Sequence, residues 1–371
     1  MKLIKVASPG RINLLGEHTD YNQGLVLPAA IDRTIVFTLS RNGNPSRCTL
    51  HSRGYGDPLV ADLSDIRQGE RSWENYLLGV LSELRELTDG LRGFDCHIES
   101  RLPAGSGISS SAALECGLAF GLNELFGLGL SRWDLVELCV RAEHRFVGTR
   151  CGIMDQFASL MGRPGHAMLL DCRSLAFDYV PLETGPYKLL LLNSNVSHDL
   201  AESAYNTRRE ECETGTGILR LQTGLEAPLR ELPLERLKEF SSAMVPEVYN
   251  RCAYVIAENN RVRRAVAALG NNDMEALGHL LYETHYGLRD LFEVSCPELD
   301  FLVDFTEPLD KVLGSRLMGG GFGGCTLNIV HSEYLEAFIW EISSAYRSQF
   351  GLELSPMVAL PGPGTSLLKP T

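Results

Sequence analysis

Between residues 100 and 115 the chain reads SRLPAGSGISSSAALE, with two glycines and three consecutive serines before a helical pattern. The preceding residues GFDCHIES, 93–100, alternate between apolar and polar side chains, which predicts a strand. Beyond Ala112, leucines recur at helical spacing, at positions 114, 118, 122 and 125. A strand that runs through a glycine loop into a helix presents the free N–H groups of the first helical turn, which bind anions. The stretch predicts a mixed α+β fold with a phosphate-binding loop.

The residue types in this loop also favour a phosphate ligand. Gly105 and Gly107 would let the backbone approach the ligand closely, and Ser109, Ser110 and Ser111 would add hydroxyl donors and a possible metal ligand. No G-K-[ST] sequence follows, so the loop is not a Walker A motif. The alternative is a serine-capped helix after a flexible loop, but three serines are more than a cap needs.

Composition sets limits on the type of protein. The 371 residues, 44 % of them hydrophobic and 22 % charged, indicate a globular chain of two domains, or of one large domain with insertions. We expect a domain boundary near residue 180. The net charge of −13 argues against a nucleic-acid partner. It allows a phosphorylated small molecule, because a bound divalent cation can neutralise that charge locally.

The sequence also suggests where the protein resides. The first residues, MKLIKVASPGRINLLGEHTD, reach Arg11 and a polar cluster too soon for a signal peptide, and no apolar run is long enough to span a membrane. The ten cysteines are scattered singly, which favours reduced thiols. We therefore expect a cytoplasmic protein without a membrane partner.

A second polar stretch, SPGRINLLGEHTDYNQG, spans residues 8–24. Glu17, His18 and Asp20 lie within four residues, and such groups exchange hydrogen bonds with a polyol. Their spacing and oxygen-rich chemistry match zinc poorly. The alternative is a simple turn before the strand-like LVLPAAI.

Two further stretches are candidates for a site. TRCGIMDQFASLMG places Asp155 at the head of an apolar helix next to Gly152; such a carboxylate is either functional or a helix-start acid stabilised by the dipole. LMGGGFGGCTLNIV places five glycines around Phe322 before a strand. Either a ligand or another backbone approaches them closely, or the loop is mobile.

The remaining pattern predicts further elements. A helix begins at Ser131, with Asp134 in a capping-box position, and YKLLLLNSN, 187–195, reads as a buried strand. Polar helices are expected over 202–212 and 246–269. TGLEAPLRELP, 223–233, reads as an exposed linker.

Taken together, five stretches resemble the galactokinases, a family of the GHMP small-molecule kinases. They are GRINLLGEHTDYNQG, LPAGSGISSSAALE, CGIMDQ, SAYNTRREECE and MGGGFGGC. The resemblance runs from about residue 7 to residue 330. It implies a two-domain α+β fold with the active site in the cleft between an N-terminal domain, 1–180, and a C-terminal domain, 181–371, which carries the glycine-rich loop 318–325. It also implies transfer of the γ-phosphate of ATP to the C1 hydroxyl of galactose, giving galactose 1-phosphate and ADP in the Leloir pathway of galactose metabolism.

The resemblance assigns roles residue by residue. Asp155 would be the catalytic base and Arg11 its cationic partner. The galactose-binding residues would be Glu17, His18, Thr19 inside the same turn, Asp20, Gly152 and, from the second half, Tyr205. The residues that wrap the ATP phosphates would be Gly105, Ser106, Gly107, Ile108, Ser109, Ser110 and Ser111.

Ser111 and Glu143 would bind Mg²⁺, and the protein is expected to act as a monomer. The departures from the family pattern are small: Ile108 stands where Leu is usual and Ser8 where Ala is usual, and neither changes a hydrogen-bonding group that the mechanism needs.

Two other functions remain compatible with the sequence. A related GHMP sugar kinase would act on N-acetylgalactosamine or arabinose, and the pocket around the sugar's C2 cannot be derived from sequence. A galactokinase-like regulator would bind sugar and ATP without catalysis. Such a protein would be expected to carry a damaged phosphate loop, whereas Ser109, Ser110, Ser111 and Asp155 are all in place.

Overall fold

The computed structural model describes residues 3–102, 107–196 and 201–369. The strands within these residues are β1 (Leu3–Asn13), β2 (Leu25–Val26), β3 (Pro28–Arg41), β4 (Arg47–Ser52), β5 (Leu59–Asp62), β6 (Phe94–Ser100), β7 (His166–Asp171), β8 (Phe177–Pro181), β9 (Tyr187–Asn193), β10 (Val312–Met318), β11 (Cys325–His331), β12 (Ser355–Ala359) and β13 (Ser366–Leu367). The helices are α1 (Ser72–Leu87), α2 (Ser110–Phe126), α3 (Arg132–Ala142), α4 (Met154–Met161), α5 (Ala201–Thr223), α6 (Pro228–Glu231), α7 (Leu234–Leu237), α8 (Pro246–Gly270), α9 (Met274–Tyr286), α10 (Pro297–Asp304) and α11 (Leu335–Phe350). Single 3₁₀ turns lie at Asp20–Asn22 and Lys238–Ala243, and π-helical turns at Glu143–Val147 and Gly287–Leu291.

Five strands of the first half and β13 from the end of the chain form a six-stranded sheet in the order β13-β1-β3-β6-β4-β5. Helix α2 lies against β1 and β3. Two glycines on its inner face make this close approach possible: a Cβ on Gly117 would lie 2.0 Å from the Phe37 ring, and one on Gly121 would lie 2.8 Å from Leu39. The helix start is thereby fixed against the sheet, at the end of the serine-glycine loop.

The second half forms a four-stranded antiparallel sheet in the order β10-β11-β9-β12. Its strand β9 contains four consecutive leucines, 189–192, and both faces of the strand are covered. Leu189 and Leu191 belong to the core that includes the first sheet, while Leu190 and Leu192 pack with Phe338 of α11. The sequence prediction of a buried strand is confirmed, and the side-chain period of two explains why the run is continuously apolar.

The boundary expected near residue 180 falls at the end of β8, and β8 and the next strand, β9, belong to different sheets. β8 closes a three-stranded sheet in the order β2-β7-β8. The end of the chain returns to the first half, since β13 pairs with β1 and Pro361 bridges to Ile31. The division into residues 1–180 and 181–371 stays a prediction. It assigns β13 and Pro361 to the second domain, although both pair with strands of the first half.

Other local predictions can be compared directly with the structure. Helix α2 begins at Ser110, two residues before the start of the helical pattern at Ala112, and Ser131 and Asp134 form the predicted capping box of α3. The prediction of an exposed linker over 223–233 is wrong, because this segment contains α6 and buries Leu229 and Leu232 in the core of the second half. None of the helices formed by the described residues is both long and apolar enough to cross a membrane.

Candidate active site

A buried ion pair joins the first strand to the start of α4. Arg11 donates from Nε to Oδ1 of Asp155 at 2.8 Å and from Nη2 to Oδ2 at 3.1 Å. The Arg11 side chain is 4 % exposed and that of Asp155 is 28 % exposed. Burial alone would lower the pKa of the Arg11 guanidinium, but the charges of Asp155 and Glu17 outweigh it and raise that pKa above its ordinary value. A fixed cation therefore lies beside a carboxylate that the cleft can reach.

Ser109 adds a third hydrogen bond to the same carboxylate. Its hydroxyl donates to Oδ2 of Asp155 and makes no capping bond to α2. The backbone of Ser109 has a φ of +57°, in the left-handed region that favours glycine. The sequence interpretation placed this hydroxyl on phosphate, whereas the structure places it on Asp155.

The turn that contains Glu17 is held by buried contacts from both halves of the chain. Glu17 accepts hydrogen bonds from the backbone N–H of Gly319 at 2.6 Å, from Nη2 of Arg316 at 3.0 Å and from the side chain of Asn13. Burial tends to raise the pKa of Glu17, but the charges of Arg316 and Arg11 lower it below its ordinary range. Glu17 is thus an ionised anchor between the turn and the glycine loop. The fully buried Arg316 was not singled out from the sequence, because no local motif marks it.

His18 and Thr19 have different surroundings within this turn. His18 Nδ1 lies 2.8 Å from the hydroxyl of Tyr21, while its buried Nε2 has no hydrogen-bond partner among the residues that the structure describes. Burial lowers the pKa of His18 to about 4, so the ring is neutral at pH 7. Thr19 donates to the carbonyls of Gly16 and Leu25 at 2.8 and 2.7 Å and is wholly buried. Its hydroxyl therefore holds the turn and does not face the cleft.

Asp20 and Gly152 are in direct contact. A Cβ on Gly152 would lie 2.0 Å from Oδ2 of Asp20, so only glycine fits beside this half-buried carboxylate. Burial and the charge of Asp155 raise the pKa of Asp20 to about 6. Tyr205 on α5 covers the turn from the second half of the chain, with its ring 5.3 Å from that of His18.

Two cavities meet at the ion pair. A small polar cavity is lined by Arg11, Glu17, His18, Asp20, Cys151, Gly152, Met154, Asp155, Tyr205, Gly319 and Gly320. A larger cavity of about 520 Å³ lies on the other side and extends past the start of α2. Arg11, Asp155, Gly319 and Gly320 line both. The five-glycine stretch thus forms part of the wall between the two halves, where backbones approach closely.

The predicted phosphate-loop residues have different positions. Gly107, Ser109, Ser110 and Ser111 line the larger cavity. Ile108 is buried, and its carbonyl accepts a hydrogen bond from the backbone N–H of Arg11, so its side chain belongs to the core. Gly105 and Ser106 lie outside the described residues.

Aromatic side chains form the far wall of the larger cavity. Tyr55, Trp73 and Tyr76 line it, together with Ile35 and Ile98. The rings of Tyr55 and Trp73 lie 5.4 Å apart, and Nε1 of Trp73 is shielded from solvent with no hydrogen-bond partner among the described residues. Sequence reasoning missed these aromatic residues. The one signal was the spacing of Trp73 and Tyr76, three residues apart on one face of α1.

Two oxygen-bearing side chains were expected to bind Mg²⁺. Ser111 lies in the first turn of α2 and lines the larger cavity. Glu143 begins the π-helical turn after α3; it is buried and accepts a hydrogen bond from Nε2 of Gln156 at 2.7 Å. In the part of the chain that the structure describes, no three His, Cys, Asp or Glu side chains form a metal-binding group. A hydroxyl and a carboxylate are nevertheless a donor set that fits Mg²⁺, which prefers oxygen ligands and takes several from water and phosphate.

Comparison with known families matches three parts of the chain. The galactokinase galactose-binding signature matches residues 3–41. The GHMP kinase N-terminal domain matches residues 75–163, and the GHMP kinase C-terminal domain matches residues 265–347. These ranges include the Glu17 turn, the start of α2, Asp155 and the glycine loop.

Full-length relatives give the same result. The galactokinase of Thermotoga neapolitana is 40 % identical over 353 residues, which cover 95 % of this chain and 96 % of that one. The galactokinase of Chloroflexus aggregans is 40 % identical over 360 residues, which cover 97 % and 92 %.

Solved structures are similar over the whole chain. The structure of Lactococcus lactis galactokinase complexed with galactose superposes with a TM-score of 0.94 at 33 % identity, covering 99 % of this chain and 95 % of that one. The mevalonate kinase of Methanococcus jannaschii shares the fold, with a TM-score of 0.65 at 18 % identity over 97 % and 98 % of the two chains. The expected fold, α+β with GHMP kinase N- and C-terminal domains, is thereby confirmed.

Proposed function

This chain belongs to the galactokinase family of the GHMP kinases and is an ATP-dependent sugar kinase; we propose that it transfers the γ-phosphoryl group of ATP to the C1 hydroxyl of galactose. The observation that carries the proposal is the Arg11–Asp155 ion pair, which borders both cavities. From that position the two side chains contact a sugar in the small cavity and a triphosphate in the larger one. Phosphoryl transfer depends mainly on such positioning and on charge stabilisation.

The small cavity is the proposed galactose site. Sugar hydroxyls both donate and accept hydrogen bonds. The cavity offers the carboxylate of Asp20 and Nε2 of His18, which has no hydrogen-bond partner among the described residues. Glu17 and Tyr205 complete its walls from the two halves of the chain. The Lactococcus lactis relative, whose structure holds galactose, supports this choice of sugar.

The larger cavity is the proposed ATP site. The triphosphate would lie at the start of α2, where Ser110 and Ser111 and the free N–H groups of the first turn favour an anion. The adenine would stack on the aromatic wall formed by Tyr55, Trp73 and Tyr76, since every base offers a flat π-face.

Asp155 is the proposed base. The C1 oxygen of galactose forms a bond to the γ-phosphorus, the bond from that phosphorus to the β–γ bridging oxygen breaks, and the hydroxyl proton passes to a carboxylate oxygen of Asp155. ADP leaves with the bridging oxygen. Arg11 is held charged beside this centre, where it stabilises the developing negative charge. The hydrogen bond from Ser109 also fixes the carboxylate.

Mg²⁺ is the proposed metal partner of ATP. When bound, it would neutralise charge on the β- and γ-phosphates. Ser111, which lines the larger cavity, and the buried carboxylate of Glu143 would hold it, since both provide oxygen ligands.

A coupled assay with MgATP and a panel of sugars tests the proposal. Galactose is the expected substrate, with N-acetylgalactosamine and arabinose far behind in kcat/KM. The galactokinase relatives favour this order. A preference for either of the other sugars would assign the chain to a related kinase. Sugar and ATP binding without turnover would identify a regulator.

The chain is further proposed to act as a monomer. Light scattering tests this. The cytoplasmic location stays a prediction.

A further inference from the structure

The side-chain amide of Gln156 joins two buried carboxylates that come from different elements. Its Nε2 donates to Oε2 of Glu143 at 2.7 Å and to Oε2 of Glu115 at 3.1 Å. Gln156 and Glu115 are 0 % exposed, so water does not compete for these bonds. We propose that Gln156 is a positioning residue for the cation site, which holds the Glu143 carboxylate in place for the Mg²⁺ that accompanies ATP. This inference rests on the proposed function.

The connection to the cation site runs along α2. Glu115 lies four residues after Ser111, and residues four apart lie on the same face of a helix. Gln156 therefore connects Glu143, which begins a π-helical turn, to the helix face that carries Ser111. Without the amide, Glu143 and Glu115 would both lose the donor that now joins them to α4.

The surroundings of the amide favour this orientation. Carboxyl oxygens of Glu143 and Glu115 lie within hydrogen-bond distance of Nε2, and the Sγ of Cys151 lies 4.0 Å from it, so acceptors surround the NH₂ end. The other amide atom, Oε1, and Oε1 of Glu115 are buried without a hydrogen-bond partner among the described residues. Buried acceptors that lack a donor cost stability.

One turn of α4 thus carries both the proposed base and the proposed positioning residue of the cation site. Asp155 and Gln156 are consecutive on α4, and consecutive helical side chains point about 100° apart. Asp155 lines both cavities, while Gln156 points into the core toward the carboxylates. Ligating carboxylates commonly need such hydrogen-bond support, whose loss costs ~10- to 100-fold in metal affinity or activity.

The test is Mn²⁺ binding measured by electron paramagnetic resonance, with full-length protein and a non-hydrolysable ATP analogue. Gln156→Met keeps the volume and removes the donor. We expect the Kd for Mn²⁺ to rise ~10-fold or more, while galactose affinity measured without nucleotide stays close to wild type. Gln156→Asn, which shortens the side chain by one methylene, should weaken Mn²⁺ binding in the same direction and serves if the Met variant does not fold.

Two comparison variants make the outcome decisive. Asn123→Leu removes another buried amide of the same helix α2, which bonds only to Leu130, and should lower stability without moving the Mn²⁺ affinity. Glu143→Ala should lose Mn²⁺ affinity at least as strongly as Gln156→Met. Wild-type affinity in both folded Gln156 variants, with a loss in Glu143→Ala, overturns the role of Gln156 and leaves the proposed function intact. An equal loss in Asn123→Leu also overturns it, and no loss in Glu143→Ala removes the metal site itself.

Discussion

Ser109 donates its hydroxyl hydrogen bond to Asp155 from a residue whose backbone lies in the left-handed region. That conformation costs a residue with a side chain roughly 1–2 kcal/mol. The hydroxyl is also withheld from the helix cap that serine usually makes. Two local costs are accepted for one contact, and that contact gives Oδ2 of Asp155 a second donor besides Nη2 of Arg11.

Ser109→Ala should therefore reduce turnover rather than nucleotide binding. A hydrogen bond to a charged group contributes ~1.5–3 kcal/mol, so kcat should fall ~10- to 150-fold. The KM for ATP should change little. The reverse pattern, a raised KM for ATP with kcat retained, would return Ser109 to the role of a phosphate donor.

Ser109→Gly is the matched companion variant. Both variants lose the hydroxyl, so the loss of kcat should be the same. Only glycine relieves the left-handed backbone, and the Gly variant should be more stable than the Ala variant by ~1 kcal/mol in urea unfolding. Equal stabilities would show that the backbone at residue 109 carries no strain.

Asp155→Asn keeps the shape of the side chain and removes the base. The kcat should fall ~10²-fold or more, the range that a positioned base contributes. Calorimetry should still detect both galactose and ATP, because neither cavity loses its walls. Near-normal turnover by the folded variant would remove proton transfer to Asp155 from the mechanism.

The site residues that could be predicted from the sequence are those whose chemistry is unusual for their position. Asp155 at an apolar helix start, the serines before α2 and the Glu17 turn could each be identified from a short stretch. Trp73 and Arg316 could not, because an aromatic residue on a helix and an arginine on a strand are ordinary until the fold brings a cavity or a carboxylate beside them.

The wrong prediction of a linker and the undetermined partners of two hydroxyl groups have a physical cause of the same kind. A serine or threonine hydroxyl has several partners within reach, and sequence does not show which one it takes. Ser109 bonds to Asp155, and Thr19 bonds to two carbonyls of its own turn. In the expected linker, proline and glycine suggested exposure, whereas Leu229 and Leu232 pack into the core of the second half.

Galactose affinity should depend on pH through Asp20, whose pKa is raised to about 6 by burial and by the charge of Asp155. Above that pH the ionised carboxylate accepts hydrogen bonds from the sugar. As the pH falls through 6 the carboxyl becomes protonated, and affinity should decrease by up to ~10-fold for each further pH unit. Titrations between pH 5 and 8 should show this in the wild type and a flat profile in Asp20→Asn. Calorimetry at pH 6 in two buffers of different ionisation enthalpy should show proton release on binding.

Gly152→Ala should damage the galactose site through Asp20. The added methyl would lie 2.0 Å from Oδ2, so the carboxylate must move. Misplacement by about 1 Å costs ~10²-fold, and kcat/KM for galactose should fall by about that factor while ATP binding is retained. Gly217→Ala, on the exposed face of α5 with nothing near its added methyl, should leave activity unchanged. A fully active Gly152→Ala enzyme would exclude Asp20 from sugar binding.

Trp73 should contribute a large part of the affinity for the adenine of ATP. Base stacking on an aromatic side chain contributes ~1–3 kcal/mol, so Trp73→Ala should weaken ATP binding ~5- to 150-fold, and Trp73→Phe should retain most of the affinity. The chain has three tryptophans, and Trp340 is 72 % exposed on α11, far along the sequence from both cavities. An ATP-induced change in tryptophan fluorescence should therefore disappear in Trp73→Phe and persist in Trp340→Phe. A signal that survives in Trp73→Phe, together with unchanged ATP affinity in Trp73→Ala, would move the adenine away from the aromatic wall and leave only the triphosphate in the larger cavity.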